Sequence, residues 1–191
     1  AGAASLHLRA FLCPRSGLGL ALLMTGCTEV TFDQPQPPKR WDRSHMPKSW
    51  QGTWVADDVS PQEMDDNKIV ISDEKIHLVS EDITLTIGED THLRWFRGYL
   101  VFSIRQQEKD GYFVRLAKRN KDTIALYEFD GTDEEKIAIW EAALPNEVAQ
   151  TRNDDGEVKS IRLTPVNNAA FGELIKTGGL TRTTTLVRWP A

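Results

Sequence analysis

The side chains able to do chemistry in this 191-residue chain are clustered acids, a few histidines and one suggestively placed cysteine. The acids come in runs: Asp57-Asp58, Asp65-Asp66, Asp73-Glu74, Asp133-Glu134-Glu135 and Asp154-Asp155. Two carboxylates serve glycoside hydrolysis when they face each other about 5 to 10 Å apart across a cleft. These runs coincide instead with turn residues, where Asp is favoured for backbone reasons and stays solvated. The stretch Asp130-Gly131-Thr132-Asp133-Glu134-Glu135 offers oxygen ligands for Ca²⁺ but lacks the full spacing of a known loop, so no metal site is assigned. His45, His77 and His92 have no Cys or His partner at ligand spacing. Nor is there a Gly-x-Ser-x-Gly elbow, a phosphate-binding glycine loop or a His-Glu-x-x-His helix. The expectation is a protein that is not an enzyme and carries no cofactor.

Cys27 stands in a different context. Residues 1–26 contain no Asp or Glu, carry Arg9 and Arg15, and run apolar from Gly17 to Met24. That is the layout of a secretory signal peptide, and the run is too short to span a bilayer, which takes about 20 apolar residues. The sequence Leu23-Met24-Thr25-Gly26-Cys27 that follows resembles the lipobox of bacterial lipoproteins. The resemblance implies cleavage before Cys27, acylation of its thiol and new amino group, and a lasting hold on the lipid bilayer. Thr28 stands where an Asp retains enterobacterial lipoproteins at the inner membrane, so the implied location is the cell envelope, at the outer membrane.

The remainder is acidic. The whole chain carries 23 Lys and Arg against 28 Asp and Glu; losing Arg9 and Arg15 with residues 1–26 leaves a formal net charge of −7. This argues against nucleic acid as a partner and predicts a body that stands off an anionic membrane. Residues 27–49 read as the acylated cysteine followed by a tether, because Pro35, Pro37, Pro38 and Pro47 lie among polar residues without apolar periodicity.

Residues 50–191 must then supply the globular domain. Apolar and polar residues alternate in Ile83–Ile87, in the stretch containing Leu100, Phe102 and Ile104, and in that containing Tyr112, Val114 and Leu116. Asp110-Gly111, Asp130-Gly131 and Asn153-Asp154-Asp155-Gly156 supply hairpin-turn residues. The fold class expected is mainly β: an antiparallel meander, closed or partly open as a barrel, with one short C-terminal helix. Asn167 or Asn168 caps that helix, Phe171, Leu174 and Ile175 form its apolar stripe, and Gly178-Gly179 end it. Lys136 to Leu144 fits either period and is read as a strand.

At the start of the first strand of this domain, Gly52-Thr53-Trp54 resembles the Gly-x-Trp of the lipocalin and wider calycin group. The resemblance implies that Trp54 closes the base of a barrel and that Arg188, in the last strand, lies over its ring. The group's Thr-Asp-Tyr signature is not in the chain. Two functions remain open. The first is a lipid-anchored, non-enzymatic scaffold or partner-binding module that contacts an envelope protein. The second is a calycin-like binder of a small apolar ligand, with Trp95, Phe102 and Tyr112 lining the pocket beside Trp54 and Arg188.

Overall fold

The computed structural model describes residues 28–106 and 110–189. Cys27 and the stretch expected to be a signal peptide lie outside them. The described residues form twelve strands in one mixed sheet, with two α-helices. The strands are β1 (Glu29–Phe32), β2 (Gly52–Ala56), β3 (Ile69–Ile71), β4 (Lys75–Leu78), β5 (Ile83–Thr86) and β6 (Thr91–Phe96), then β7 (Tyr99–Arg105), β8 (Tyr112–Asn120), β9 (Thr123–Glu128), β10 (Val148–Arg152), β11 (Val158–Leu163) and β12 (Thr181–Arg188). The helices are α1 (Glu134–Ala143) and α2 (Asn168–Lys176).

Nine strands curl into a partly open barrel in the order β6-β7-β8-β9-β12-β2-β3-β4-β5. β5 and β6 flank the seam, where an isolated bridge between Ile87 and Thr91 and the Gly88 amide bond to the Thr91 carbonyl join the two edges. Alternation along each strand sends one set of side chains inward. Trp54, Leu78, Leu93, Leu100, Ala117, Ile124 and Leu186 pack there in one apolar cluster.

β8 is long enough to serve two neighbours on one edge. Arg115 to Asn120 pair with β9, while Tyr112 pairs with Phe32 of β1. Beyond that fork the sheet continues through β1, β11 and β10, with β1 and β11 parallel. A second core forms on this wing, where the outward residues Val101, Val114 and Leu116 meet Phe32, Ile161 and Leu163 and the two helices. The expected mainly β fold with a partly open barrel is what forms, its strand pairs antiparallel except where β1 inserts beside β11, about 130 residues further along the chain, with the Thr28 hydroxyl bonded to the Val158 carbonyl.

Two expectations are overturned. Lys136 to Leu144 is a helix, not a strand. Asp133 caps it by accepting from the Glu135 and Lys136 amides, and Glu134 and Glu135 sit in its first turn, where the helix dipole favours acids. Its buried Trp140 then donates to the Gly179 carbonyl at 2.8 Å, behind α2. α2 itself forms where expected, capped by Asn167, with Phe171 and Leu174 buried.

The tether is the larger correction. From Glu29 onward the chain is part of the body: β1 lies in the sheet, Gln36, Pro37 and Pro38 are buried, and Met46 and Trp50 belong to the barrel core. The prolines suit an irregular segment that crosses other elements without continuing a ladder. They do not keep it free in solvent, because the edge of β6 offers that segment hydrogen-bonding partners. The Arg43 amide donates to the Leu93 carbonyl at 2.7 Å, and the Met46 amide to the Asp73 carbonyl at 2.6 Å. Residues 33–50 therefore form a strap from β6 to the β3–β4 turn, across the open side of the barrel. An uncovered edge strand is a template for unwanted pairing, and the strap protects this one.

Candidate functional site

The base of the barrel shows why the Gly-x-Trp spacing is needed. Trp54 is fully buried and its indole N–H donates to the Trp50 carbonyl at 2.8 Å. Arg188, paired in register with Trp54 across β12 and β2, places its guanidinium carbon 4.7 Å from the ring centroid. The same guanidinium donates to the carbonyls of Ser49 and Gln51. Gly52 has φ +131°, and a Cβ there would stand 2.7 Å from Arg188 Nη1. Only glycine meets both conditions without moving the arginine. This cluster is a structural closure: the arginine's donors are turned to backbone carbonyls and the indole is covered.

The other residues expected to line a pocket separate. Phe102 packs half-buried against the barrel core. Tyr112 points to the opposite face, because it shares parity with Val114 and Leu116; its ring meets His92 at 5.6 Å. Trp95 sits near the rim, 39% exposed, edge-on to Trp50 at 6.0 Å. Tyr112 thus leaves the inward set because strand side chains alternate strictly between faces. The five residues do not converge on one cavity, and large apolar side chains occupy the interior where a ligand would lie.

What does converge was not legible in the sequence. Trp95 and residues 40–45 line an open depression of about 390 Å³ on the strap. Trp41 stands on it 94% exposed. Its backbone is nonetheless pinned on both sides. The Asp42 carboxylate accepts from Arg94 Nε at 2.6 Å and lies 2.9 Å from His92 Nδ1, while Arg94 also donates to the carbonyls of Pro35 and Pro37. Burial pushes the Asp42 carboxyl up, but hydrogen bonds and charge from Arg94 and His92 outweigh it and hold the group below its ordinary value. Arg40 lies 5.8 Å from the Phe96 ring centroid. Lys39, Arg40 and Arg43 make no ion pair among the described residues. The available signal was composition alone: a Trp among basic residues in the stretch Lys39-Arg40-Trp41-Asp42-Arg43.

The three described histidines are engaged. His45 lies 2.9 Å from Asp73, His77 lies 3.0 Å from the Thr84 hydroxyl, and His92 contacts Asp42. His45, Asp73 and Glu74 bring their ligand atoms within 4.8 Å of one another and could hold a cation, but all three are exposed. Inside the other end of the barrel, Arg115 pairs with Glu128, its register partner on β9. Burial pushes the Arg115 pKa down to about 10, against the opposing charge of Asp130, so it stays a cation at neutral pH. A charge buried opposite its counter-ion there ties two strands together.

Comparison of the chain with protein-family models, curated proteins and solved structures finds no match. The likeness to the calycin group therefore rests on Gly52, Trp54 and Arg188 alone.

Proposed function

We propose that this protein is a non-enzymatic binding module of the cell envelope, anchored to the outer membrane by lipid on Cys27, and that it makes contact through the Trp41–Trp95 depression. The observation that carries the reading is the exposure of Trp41 on a pinned segment. A loose loop can fold an indole back onto the body. A segment held at Asp42, Arg43 and Met46 presents it instead, and the ordering that binding would otherwise demand is already complete. Trp and Arg dominate the energetics of contact surfaces, and exposed aromatics gathered on one rim mark them. The engaged histidines and the filled barrel support a binding role rather than turnover or an internal ligand.

Two measurements test this. Replacing Cys27 by Ser should move the protein from the membrane to the soluble fraction; retention of the variant in membranes overturns the anchor. A photo-crosslinking side chain at position 41, in intact cells, should form adducts with an envelope component, whereas one at Lys121 should not. Equal labelling from both positions, or none, overturns the contact surface.

A further inference from the structure

Deepening the reading of the Trp41–Trp95 depression as the contact surface, we propose that its partner is the anionic bilayer itself, into whose interface Trp41 inserts while Lys39, Arg40 and Arg43 meet the lipid phosphates. Charge carries the first part of the argument. The chain as a whole is acidic, with 28 acids against 23 basic residues, yet the protruding part of the strap reverses this locally. Its one carboxylate, Asp42, is taken up by Arg94 and His92 beneath it, which leaves Lys39, Arg40 and Arg43 exposed around an indole. Attraction of this kind acts within a Debye length, so the local cations outweigh the distant net charge of the body.

The side-chain chemistry carries the second part. Tryptophan is favoured at the level of lipid headgroups, where its ring is apolar and its N–H stays wet, and arginine and lysine stems extend from there to phosphate. An acidic protein would meet the same charges. It would not explain why the indole lining this shallow depression is left 94% exposed.

The third part is the chain path. Thr28, the residue after Cys27 in the sequence, is already bonded through its hydroxyl to the Val158 carbonyl, so no spacer follows the cysteine. β1 carries the chain roughly 13 Å, at about 3.3 Å per residue, to Phe32. Phe32 pairs with Tyr112, whose ring meets His92, which holds Asp42 of the strap. Thr28, next to Cys27 in the chain, and the strap therefore lie on either side of one short strand. The expectation of a body standing off the membrane, built on a tether and on net charge, gives way to one lying against it.

The test uses the full chain with Cys13→Ser and Cys27→Ser, so that it does not depend on acylation. An environment-sensitive fluorophore is attached at Ser44→Cys, on the strap, or at Asp58→Cys, after β2. With vesicles of phosphatidylethanolamine and phosphatidylglycerol, the fluorophore at position 44 should shift to the blue and that at 58 should not. The shift should weaken with added salt and disappear with phosphatidylcholine alone. Arg40→Glu with Arg43→Glu should lower apparent binding at the strap about thirtyfold or more, because each basic residue near an anionic surface adds a factor of about five. Trp41→Ala should reduce the blue shift while salt dependence remains. No shift at position 44, or equal shifts at 44 and 58, overturns the proposal. If in addition crosslinks from position 41 reach an envelope protein, the contact surface stands and only its lipid partner is lost; if no crosslinks form, both fail.

Discussion

Trp54 and Trp41 are 13 positions apart in the chain, and the molecule treats them in opposite ways. Trp54 has no exposed surface, its N–H is bonded to the Trp50 carbonyl, and a guanidinium covers its face. Trp41 is almost wholly exposed, and the bonds nearest it involve its neighbours rather than its own ring. The barrel base is held by apolar burial, which scales with area and belongs to the whole domain. The strap is anchored by Met46 and Trp50 in the barrel core, but around Trp41 it is held by a few charged and backbone hydrogen bonds, which can be removed while the barrel stands. The difference teaches that one residue type does two jobs here, closing a core and presenting a surface, according to what its neighbours satisfy.

The comparison breaks most sharply at the core. Trp54→Ala should cost about 3 to 5 kcal/mol, through lost burial and the cavity left behind, and should show as a large fall in the midpoint of urea unfolding. A fall no larger than that of a surface substitution would mean that the base is not what holds the barrel.

Arg94→Met should cost less, about 2 kcal/mol, because it leaves the carbonyls of Pro35 and Pro37 without their donor and Asp42 without its cation. Hydrogen exchange should then speed up at the Arg43 amide while the β8 and β9 amides keep their protection. Uniform acceleration would show that strap and barrel open together.

Acid should loosen the same contact more gently. The folded value of Asp42 lies below the ordinary 3.8, so its contribution is complete above that value and is lost as pH falls through the lower, folded one. Exchange at the Arg43 amide, corrected for its intrinsic pH dependence, should rise in that window, and Asp42→Asn should abolish the step.

The smallest effect is expected at Trp41→Ala, within about 0.5 kcal/mol in urea unfolding, because the side chain buries almost nothing. A larger loss would show that the indole packs in solution and is not presented.

Much of the fold could be read ahead. Ile83–Thr86 alternates because one face lies in the barrel core, while along β7 and β8 alternate residues enter different cores, Leu100, Ile104 and Ala117 that of the barrel and Val101, Val114 and Leu116 that of the wing. Asn167 and the Phe171 and Leu174 stripe marked α2 for equally local reasons. α1 was harder, since Ile137, Trp140 and Leu144 suit a strand as well as a helix; the Asp133 cap and the two acids after it were the decisive signal. Of the residues expected around a ligand, Trp54 and Arg188 do meet, but as a closure of the base. Tyr112 was placed on the wrong face, because alternation says which residues share a side and not which side faces the barrel.

By itself, then, the sequence determined the strands after residue 50, the second helix and the turn between β10 and β11, which follow from short-range periodicity and residue type, while the meeting of Trp54 and Arg188 was implied only by the resemblance to the calycin group. Only the tertiary structure decided that residues 29–50 belong to the body, that β1 runs parallel to β11, and that Trp41 is held in the open. Those outcomes depend on partners far along the chain, Leu93, Arg94, Asp73 and Ser160, and an aperiodic segment carries no local trace of the edge it will cover.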